Sequence, residues 1–589
     1  MKGIFGFDFG TTNSLISFVE GDRCISLLDR SGLPHPSVVC YQGNEVIVGR
    51  KAKERLSTGA SGIVGNIVRS PKSFLGEHKI YVDGVARDPK SIVADIVGHV
   101  RDHAKEQEPG EYDSAVVTIP VDMNGKRRKE LRDAFRIAGI NIVQFIHEPL
   151  AALYGHLRSH PNFRDEIRKL NRELILVFDW GGGTLDLTLC QIIDGMLVQL
   201  SNDGCSNVGG DVIDEIIRNE IVRRCLQSKG ITEDIPQQAD ATQRLLDRAE
   251  RSKIDLSSKA NVQVFVPDYF LTKKYDVDIE YTLHRAELEE MVSDKIEEGI
   301  QRIHNLLTDA RISPSSIAFC LATGGMVNMP IIKSRLREIF GPQRLCVSER
   351  GNTIISEGAG WVAYDKANLS LAKNIELLVA PGAYFPVIKA GVKMPREGDI
   401  NYTETLSLYC TDPTDGVAKF QIVSPKKSGR KVQSTDERNV LDSISIRVDE
   451  KAKPFFERLD FKLKVDENLI LHASAKSLVK NDSDEIQIHN LEFGLDLAGA
   501  MDSEASFESI ESSVVSQHVA GGVRLRPNIA TEKKDEYIPG ELLYSYKPDY
   551  FDTRRSPPDK QVLEKLYYQP CSLCKRPSND PLCNCESFL

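Results

Sequence analysis

The chain has little that would seat it in a membrane, on nucleic acid or outside a cell. No run of about 18 apolar residues occurs, which argues against a membrane-spanning helix. The N-terminus enters a strand-like run at once, with no basic leader and no cleavage site, so a signal peptide is not expected. Positive charge is not in excess: the net charge is −10 over 589 residues, which speaks against nucleic acid or an anionic membrane as the main partner. The twelve cysteines are spread thinly except at the extreme C-terminus. That distribution suits a reducing, cytoplasmic setting rather than a disulfide scaffold.

Apolar content of 41% and charged content of 27% are ordinary for globular protein, and the length calls for several domains. The most informative stretch is Val177-Phe178-Asp179-Trp180-Gly181-Gly182-Gly183-Thr184-Leu185-Asp186. The apolar run Leu174 to Phe178 reads as a buried strand, the glycines as a turn, and Leu185 to Cys190 as a second strand. Such a turn lets backbone N–H groups approach an anion without Cβ interference. Asp179 and Asp186 flank it, and carboxylates beside a phosphate cradle suit a hydrated Mg²⁺ ion. The same grammar recurs at Phe5 to Ser14, where Asp8 precedes Gly10, Thr11, Thr12 and Asn13. Two such turns are what an internally duplicated nucleotide site needs.

This pair of turns resembles the actin-like ATPase superfamily. Ser114 to Pro120, then Arg136-Ile137-Ala138-Gly139, then His147-Glu148-Pro149-Leu150-Ala151-Ala152 resembles the connecting segment of DnaK-type (seventy-kilodalton heat-shock) chaperones more than that of sugar kinases. The resemblance covers roughly residues 1 to 490. It implies ATP and ADP as ligands with Mg²⁺, held through its waters by Asp8 and Asp179. It implies Lys72 (in Ser70-Pro71-Lys72-Ser73-Phe74-Leu75-Gly76), Glu148, Asp179 and Thr184 as the catalytic set that places the attacking water. Pro120 and Arg128 would carry the nucleotide state to the next domain. The nucleotide contacts implied are Gly10 to Asn13, Gly181 to Thr184, Gly209, Gly210, Asp211, then Glu250, Lys253 and Ser257 on one face of a helix over 241–258, and Gly324, Gly325 and Asn328. Departures stand at Asp122, Gln144 and Asn328, where the family carries an aromatic and two arginines; they bear on cochaperone docking and adenine stacking.

The implied architecture is an α/β actin-like (duplicated ribonuclease-H-like) ATPase domain over residues 1–365, a linker over 366–378, and an all-β sandwich over 379–495 that binds peptide. A tail over 496–589 completes it. Short alternating strands such as Phe461 to Lys476 support the sandwich, and Tyr281 to Arg311 reads as one long amphipathic helix with Leu288, Val292, Ile296, Ile300, Ile303 and Leu307 in its stripe. The tail lacks the apolar period of a helical lid and ends in Cys571-x-x-Cys574 and Cys583-x-Cys585, a set suited to a tetrahedral Zn²⁺. The function implied is an ATP-dependent chaperone for unfolded or extended polypeptides, aided by cochaperones. Two rivals are a nucleotide-gated adaptor for a fixed protein partner and a small-molecule kinase.

Overall fold

The computed structural model describes residues 3–497, apart from short gaps at 59–65, 83, 194, 234, 236, 238, 272–273, 381–382, 427 and 429–431. The tail cysteines Cys571, Cys574, Cys583 and Cys585, and the reading of the tail as lidless, therefore lie outside the described residues. The chain divides into two compact units, residues 1–368 joined by the stretch from Leu495, and residues 369–494.

The first unit contains one topology twice. In its first sheet Phe5–Phe9 pairs antiparallel with Asn13–Glu20, which pairs antiparallel with Arg23–Leu27. On its other side Phe5–Phe9 runs parallel to Ser114–Ile119, and that strand parallel to Asn141–His147. In the second sheet Leu174–Trp180 pairs antiparallel with Leu185–Ile193, and that strand with Met196–Cys205. Leu174–Trp180 then runs parallel to Ile317–Thr323, and that strand to Leu345–Val347. The strand order is thus the same in both halves, as the actin-like, ribonuclease-H-like fold class requires. The central strands read as continuous apolar runs because both faces are covered: Ile175, Leu176, Val177 and Phe178 are all fully buried.

Helices cover these sheets, and their ends are set by local chemistry. Asp88 caps Pro89–Gln107 by accepting from the Lys90 N–H at 3.0 Å, with proline at the first helical position. Asn124 caps Gly125–Ile137 in the same way through the Arg127 N–H. The helices Glu148–Arg158 and Ile354–Tyr364 cross at their glycines. A Cβ on Gly155 would stand 2.6 Å from the Ile354 carbonyl oxygen, and one on Gly358 would overlap the Ala151 carbonyl. This close crossing fixes the helix whose first residue is Glu148.

The helix expected from Tyr281 starts four residues later. Asp276–His284 is a strand paired with Asn261–Leu271, and the helix begins only at Arg285, running to Asp309. Val277, Ile279 and Leu283 are buried on alternate positions, a period of two that the longer helical stripe concealed. The stripe itself packs from Leu288 to Leu307 as expected.

The second unit is a β-sandwich. One sheet runs in the order Ala383–Ile388, Ile375–Ala380, Val417–Pro425, Arg438–Arg447, and the other Tyr402–Tyr409, Arg458–Val465, Leu471–Ser477, Ser483–Ile488. Leu459, Phe461, Leu463 and Val465 point inward on alternate positions, and Phe461 stacks on Phe420 of the opposite sheet at 5.2 Å. Residues 366–378, read from the sequence as a linker, carry the strand Leu369–Leu371 and the start of Ile375–Ala380. Lys373, 5% exposed, pairs with Glu492 at 2.8 Å and ties the start of this unit to its end. No described helix is long and apolar enough to cross a membrane.

The glycine crossing yields a test. Gly358→Ala adds a methyl where backbone already stands, so it is expected to destabilise the first unit by about 1–3 kcal/mol. Thermal unfolding of the full chain would show this as a lowered first transition; an unchanged midpoint would mean that the helices can separate freely.

Candidate functional site

The two glycine turns are closed by equivalent hydrogen bonds: the Gly10 N–H donates to the Asn13 carbonyl, and the Gly181 N–H to the Thr184 carbonyl, both at 2.9 Å. They face each other. A Cβ on Gly182 would collide with the Thr12 hydroxyl, and one on Gly183 with Thr11. The turn at Gly209 and Gly210 locks the second loop from outside, with the Gly210 N–H on the Gly181 carbonyl at 3.1 Å and the Asp211 N–H on that of Gly182 at 2.7 Å. Gly209 lies so close to Gly183 that a Cβ would sit 2.5 Å from its backbone. Gly10 to Asn13, Gly181 to Thr184 and Gly209 to Asp211 are therefore brought together.

Beneath the turns lies a crowd of buried acids. Lys72, 2% exposed, donates to Glu148 Oε1 at 2.8 Å, so it is no surface lysine. Asp179 and Asp186 stand opposite each other in the hairpin register. Asp8 accepts from the Thr118 hydroxyl at 2.6 Å. Asp186 accepts from the Thr184 hydroxyl at 2.7 Å and from the Val121 N–H at 2.9 Å. Burial, and then the Glu148 charge, push Asp8 up to about 6. Burial followed by the charges of Glu148, Asp186 and Asp8 holds Asp179 well above the carboxylate range. Burial, Glu148 and Asp122 carry Asp186 to about 8, against the two hydrogen bonds that lower it. Four carboxyls around one lysine form a donor set of hard oxygens, which fits Mg²⁺. The Thr12 hydroxyl is buried without a partner, as is that of Thr323, whose strand position matches Asp179. Cradle, orphaned hydroxyls and acid cluster fit a magnesium-bound polyphosphate.

The remaining predicted contacts are less uniform. The helix carrying Glu250 and Lys253 runs Ala239–Leu256, so Ser257 lies just beyond its end. There the Ser257 and Ser258 N–H groups turn back onto Ile254 and Asp255. Glu250 is buried in ion pairs with Lys53 at 2.5 Å and Arg69 at 2.9 Å. Burial raises its pKa, but these two cations outweigh burial and lower it. Lys253 pairs with Asp214 at 2.7 Å and donates to the Gly210 carbonyl at 3.0 Å, bracing the Gly209–Asp211 turn. Gly324 has φ +88° and runs against Trp180 and Asp179, a course closed to a side chain. Asn328 lines a cavity of about 270 Å³ with Lys333, Val347, Ser348 and Asn352. Pro120 begins the turn whose next N–H reaches Asp186, and Arg128 is fully buried, its Nε donating to the Met123 carbonyl at 2.6 Å.

Sequence reasoning noticed Asp186 beside the turn but left it out of the ion set; its symmetric place across the glycines from Asp179 was the available signal. It missed Thr118, Lys53 and Arg69, which reach the site from distant segments without a local pattern.

A carboxyl whose folded pKa lies above its unfolded value of about 4 binds its proton more tightly in the folded protein. As pH rises from about 4 through 8 that advantage is lost, and the folded state weakens. The metal-free protein is therefore expected to melt lower at pH 8 than at pH 6. Mg²⁺ should raise the midpoint more at pH 8, where more of the acids are ionised than at pH 6. Scanning fluorimetry with and without Mg²⁺ checks this, and an equal magnesium shift at both pH values would contradict it.

The comparisons with known proteins agree with this geometry. Chaperone protein DnaK of Thermosipho melanesiensis is 30% identical over 343 residues, 58% of this chain and 55% of its own. That of Mycoplasmoides gallisepticum is 29% identical over 504 residues, 83% and 80% of the two chains. That of Thermosipho africanus is 29% identical over 341 residues, 57% and 55%. The matches thus span about half the length of two of these relatives and four fifths of the third. The family model described as Hsp70 protein matches residues 4–81 and 75–498, nearly all of the described chain, and the chain belongs to the Hsp70 family.

Proposed function

We propose that the protein is an ATP-dependent chaperone, an ATPase whose nucleotide state governs polypeptide binding by the β-sandwich. The observation that carries this reading is the pair of equally closed phosphate turns meeting over the acid cluster. Family membership favours it over the fixed-partner adaptor and the small-molecule kinase.

In this reading the N–H groups of Gly10 to Asn13 and Gly181 to Thr184 hold the phosphates from two sides. Asp8 and Asp179, with Asp186, would hold Mg²⁺ through its waters, and the ion supplies neutralising charge at the phosphate oxygens. Lys72 is aimed by its bond to Glu148, and together they orient the attacking water; Thr184 steadies the terminal phosphate. Such catalysis is positioning and electrostatics, with little covalent work for the protein. Glu250, Lys253, Ser257, Gly324, Gly325 and Asn328 border the nucleoside. The coupling route begins at Asp186, passes through the Val121 N–H to the turn after Pro120, and reaches Arg128. Clients are unfolded or extended polypeptides, cochaperones assist, and the setting is the cytoplasm.

Asp179→Asn is expected to keep ATP binding and lower turnover about a hundredfold, the size usual for one electrostatic group. Single-turnover hydrolysis with a parallel binding titration measures both. Unchanged turnover would move the chemistry elsewhere.

We also propose that Cys571, Cys574, Cys583 and Cys585 bind one zinc ion, on the chemistry of four clustered thiols. Metal analysis of the full chain and of the chain ending at residue 565 is expected to differ by one equivalent. Equal zinc in both would refute the site.

A further inference from the structure

The strand residues His35–Pro36 bring a histidine to the back of the first phosphate turn. Asn13 pairs with Pro36 and Ser14 with His35 in an antiparallel bridge. The next residue, Ser37, donates its N–H to the Thr12 carbonyl at 2.8 Å and its hydroxyl to the Gly10 carbonyl at 2.9 Å, and its hydroxyl also meets that of Ser14 at 2.9 Å. His35 to Ser37 thus strap the turn Gly10–Asn13 in place.

The strap is packed against two more imidazoles. His99 and His103 stand one turn apart on the helix Pro89–Gln107. The His35 ring centre lies 4.8 Å from that of His103 and 5.7 Å from that of His99, and the latter two are 6.4 Å apart. His35 is 2% exposed, and its Nε2 is buried without a partner. A neutral ring tolerates that; a charged ring would place an uncompensated N–H⁺ beside two neighbouring imidazoles.

We infer that His35, His99 and His103 form a proton-operated latch on the first phosphate turn: acidification releases the His35–Ser37 strap and loosens Gly10–Asn13. The groups around the trio do not offset the added charge. Asp29 faces His35 from the preceding loop, but its carboxylate already serves Arg50 at 2.8 Å and the Ser31 and Leu33 N–H groups. Asp102 and Glu106 face His99 from its own helix and Lys51 from the helix Arg50–Thr58; Glu106 also lies 3.8 Å from Arg30. His103 Nδ1 is bonded to Gln107 at 2.9 Å. Burial, with His103 and His99 adding to it, lowers His35 to about 4, and burial with His103 lowers His99 as well.

A closed form that binds protons more weakly than the open one is favoured above the open-form pKa and disfavoured as pH falls below it. For a histidine moved from about 6.5 to about 4, the open–closed balance shifts about tenfold by pH 5.5. At pH 7.5 the effect is negligible. The latch itself needs no ligand; only its consequence for nucleotide affinity rests on the ATP reading above.

The test is hydrogen exchange of segments 10–20 and 35–41 in the full, nucleotide-free chain at pH 7.5 and 5.5, corrected for intrinsic exchange chemistry. Opening is expected to rise about tenfold in the wild type and to stay flat in His35→Gln. The doubly substituted His99→Gln/His103→Gln chain guards against misfolding of the first variant and should show a smaller rise than the wild type. Equal pH dependence in the wild type and either variant would overturn the latch. ADP titrations at both pH values run alongside: weakening at pH 5.5 that is steeper in the wild type than in His35→Gln supports it. Failure of ADP to bind at pH 7.5 would strike the ATP reading and leave the exchange result to decide the latch.

Discussion

The crowding of buried carboxyls around Lys72 is the constraint on which the rest of the first unit depends. Asp8, Glu148, Asp179 and Asp186 would repel one another in a dry site, and one lysine cannot balance four acids. Burying charge without compensation is among the costliest things a fold can do. The structure meets it with protons taken up by the raised acids, with hydrogen bonds from Thr118, Thr184 and the Val121 N–H, and with a geometry that a divalent cation completes. The site is thus weakest when empty and ionised, which ties its stability to ligand.

That constraint explains why the supports are so close. Glu148 starts a helix locked to a second helix at two glycines, so its carboxyl has a fixed origin. The Gly209–Asp211 turn is braced by Lys253, itself paired with Asp214. Glu250 draws Lys53 and Arg69 to the helix Ala239–Leu256 from segments nearly two hundred residues earlier. These pairs are largely buried, so they tie the cleft more firmly than exposed ion pairs would.

What the sequence disclosed followed from local rules. Glycines between apolar runs announced both turns, and the period-two alternation of apolar residues announced the sandwich strands. The same locality limited what could be read. Asp276–His284 alternates over only nine residues before a long helical stripe, and the stripe absorbed its last residues, Tyr281 to His284, in the reading. The ion pairs of Glu250 with Lys53 and Arg69 went unread because nothing near it in sequence names them. Lys72 had a surface-like local context, and only the fold's closure around Glu148 makes it buried. Residues 366–378 lacked a strand signature since their strands are three and six residues long.

The two halves share a topology but not a chemistry. In the second hairpin Asp179 faces Asp186; at the equivalent register of the first, Asp8 faces Leu15. The first hairpin therefore supplies a single acid, and the second a pair with the hydroxyl of Thr184. One of the paired acids, Asp186, accepts from the Val121 N–H, which follows Pro120 in the other half. In the proposed reading a cation there would change the ionisation of Asp186, and Asp186 is the acceptor from the Val121 N–H in the turn after Pro120. A symmetric duplication would bind an ion between two equal acids and have no preferred direction in which to report it. With leucine in place of aspartate at one register position, the proposed ion would have a sensing side and a supporting side.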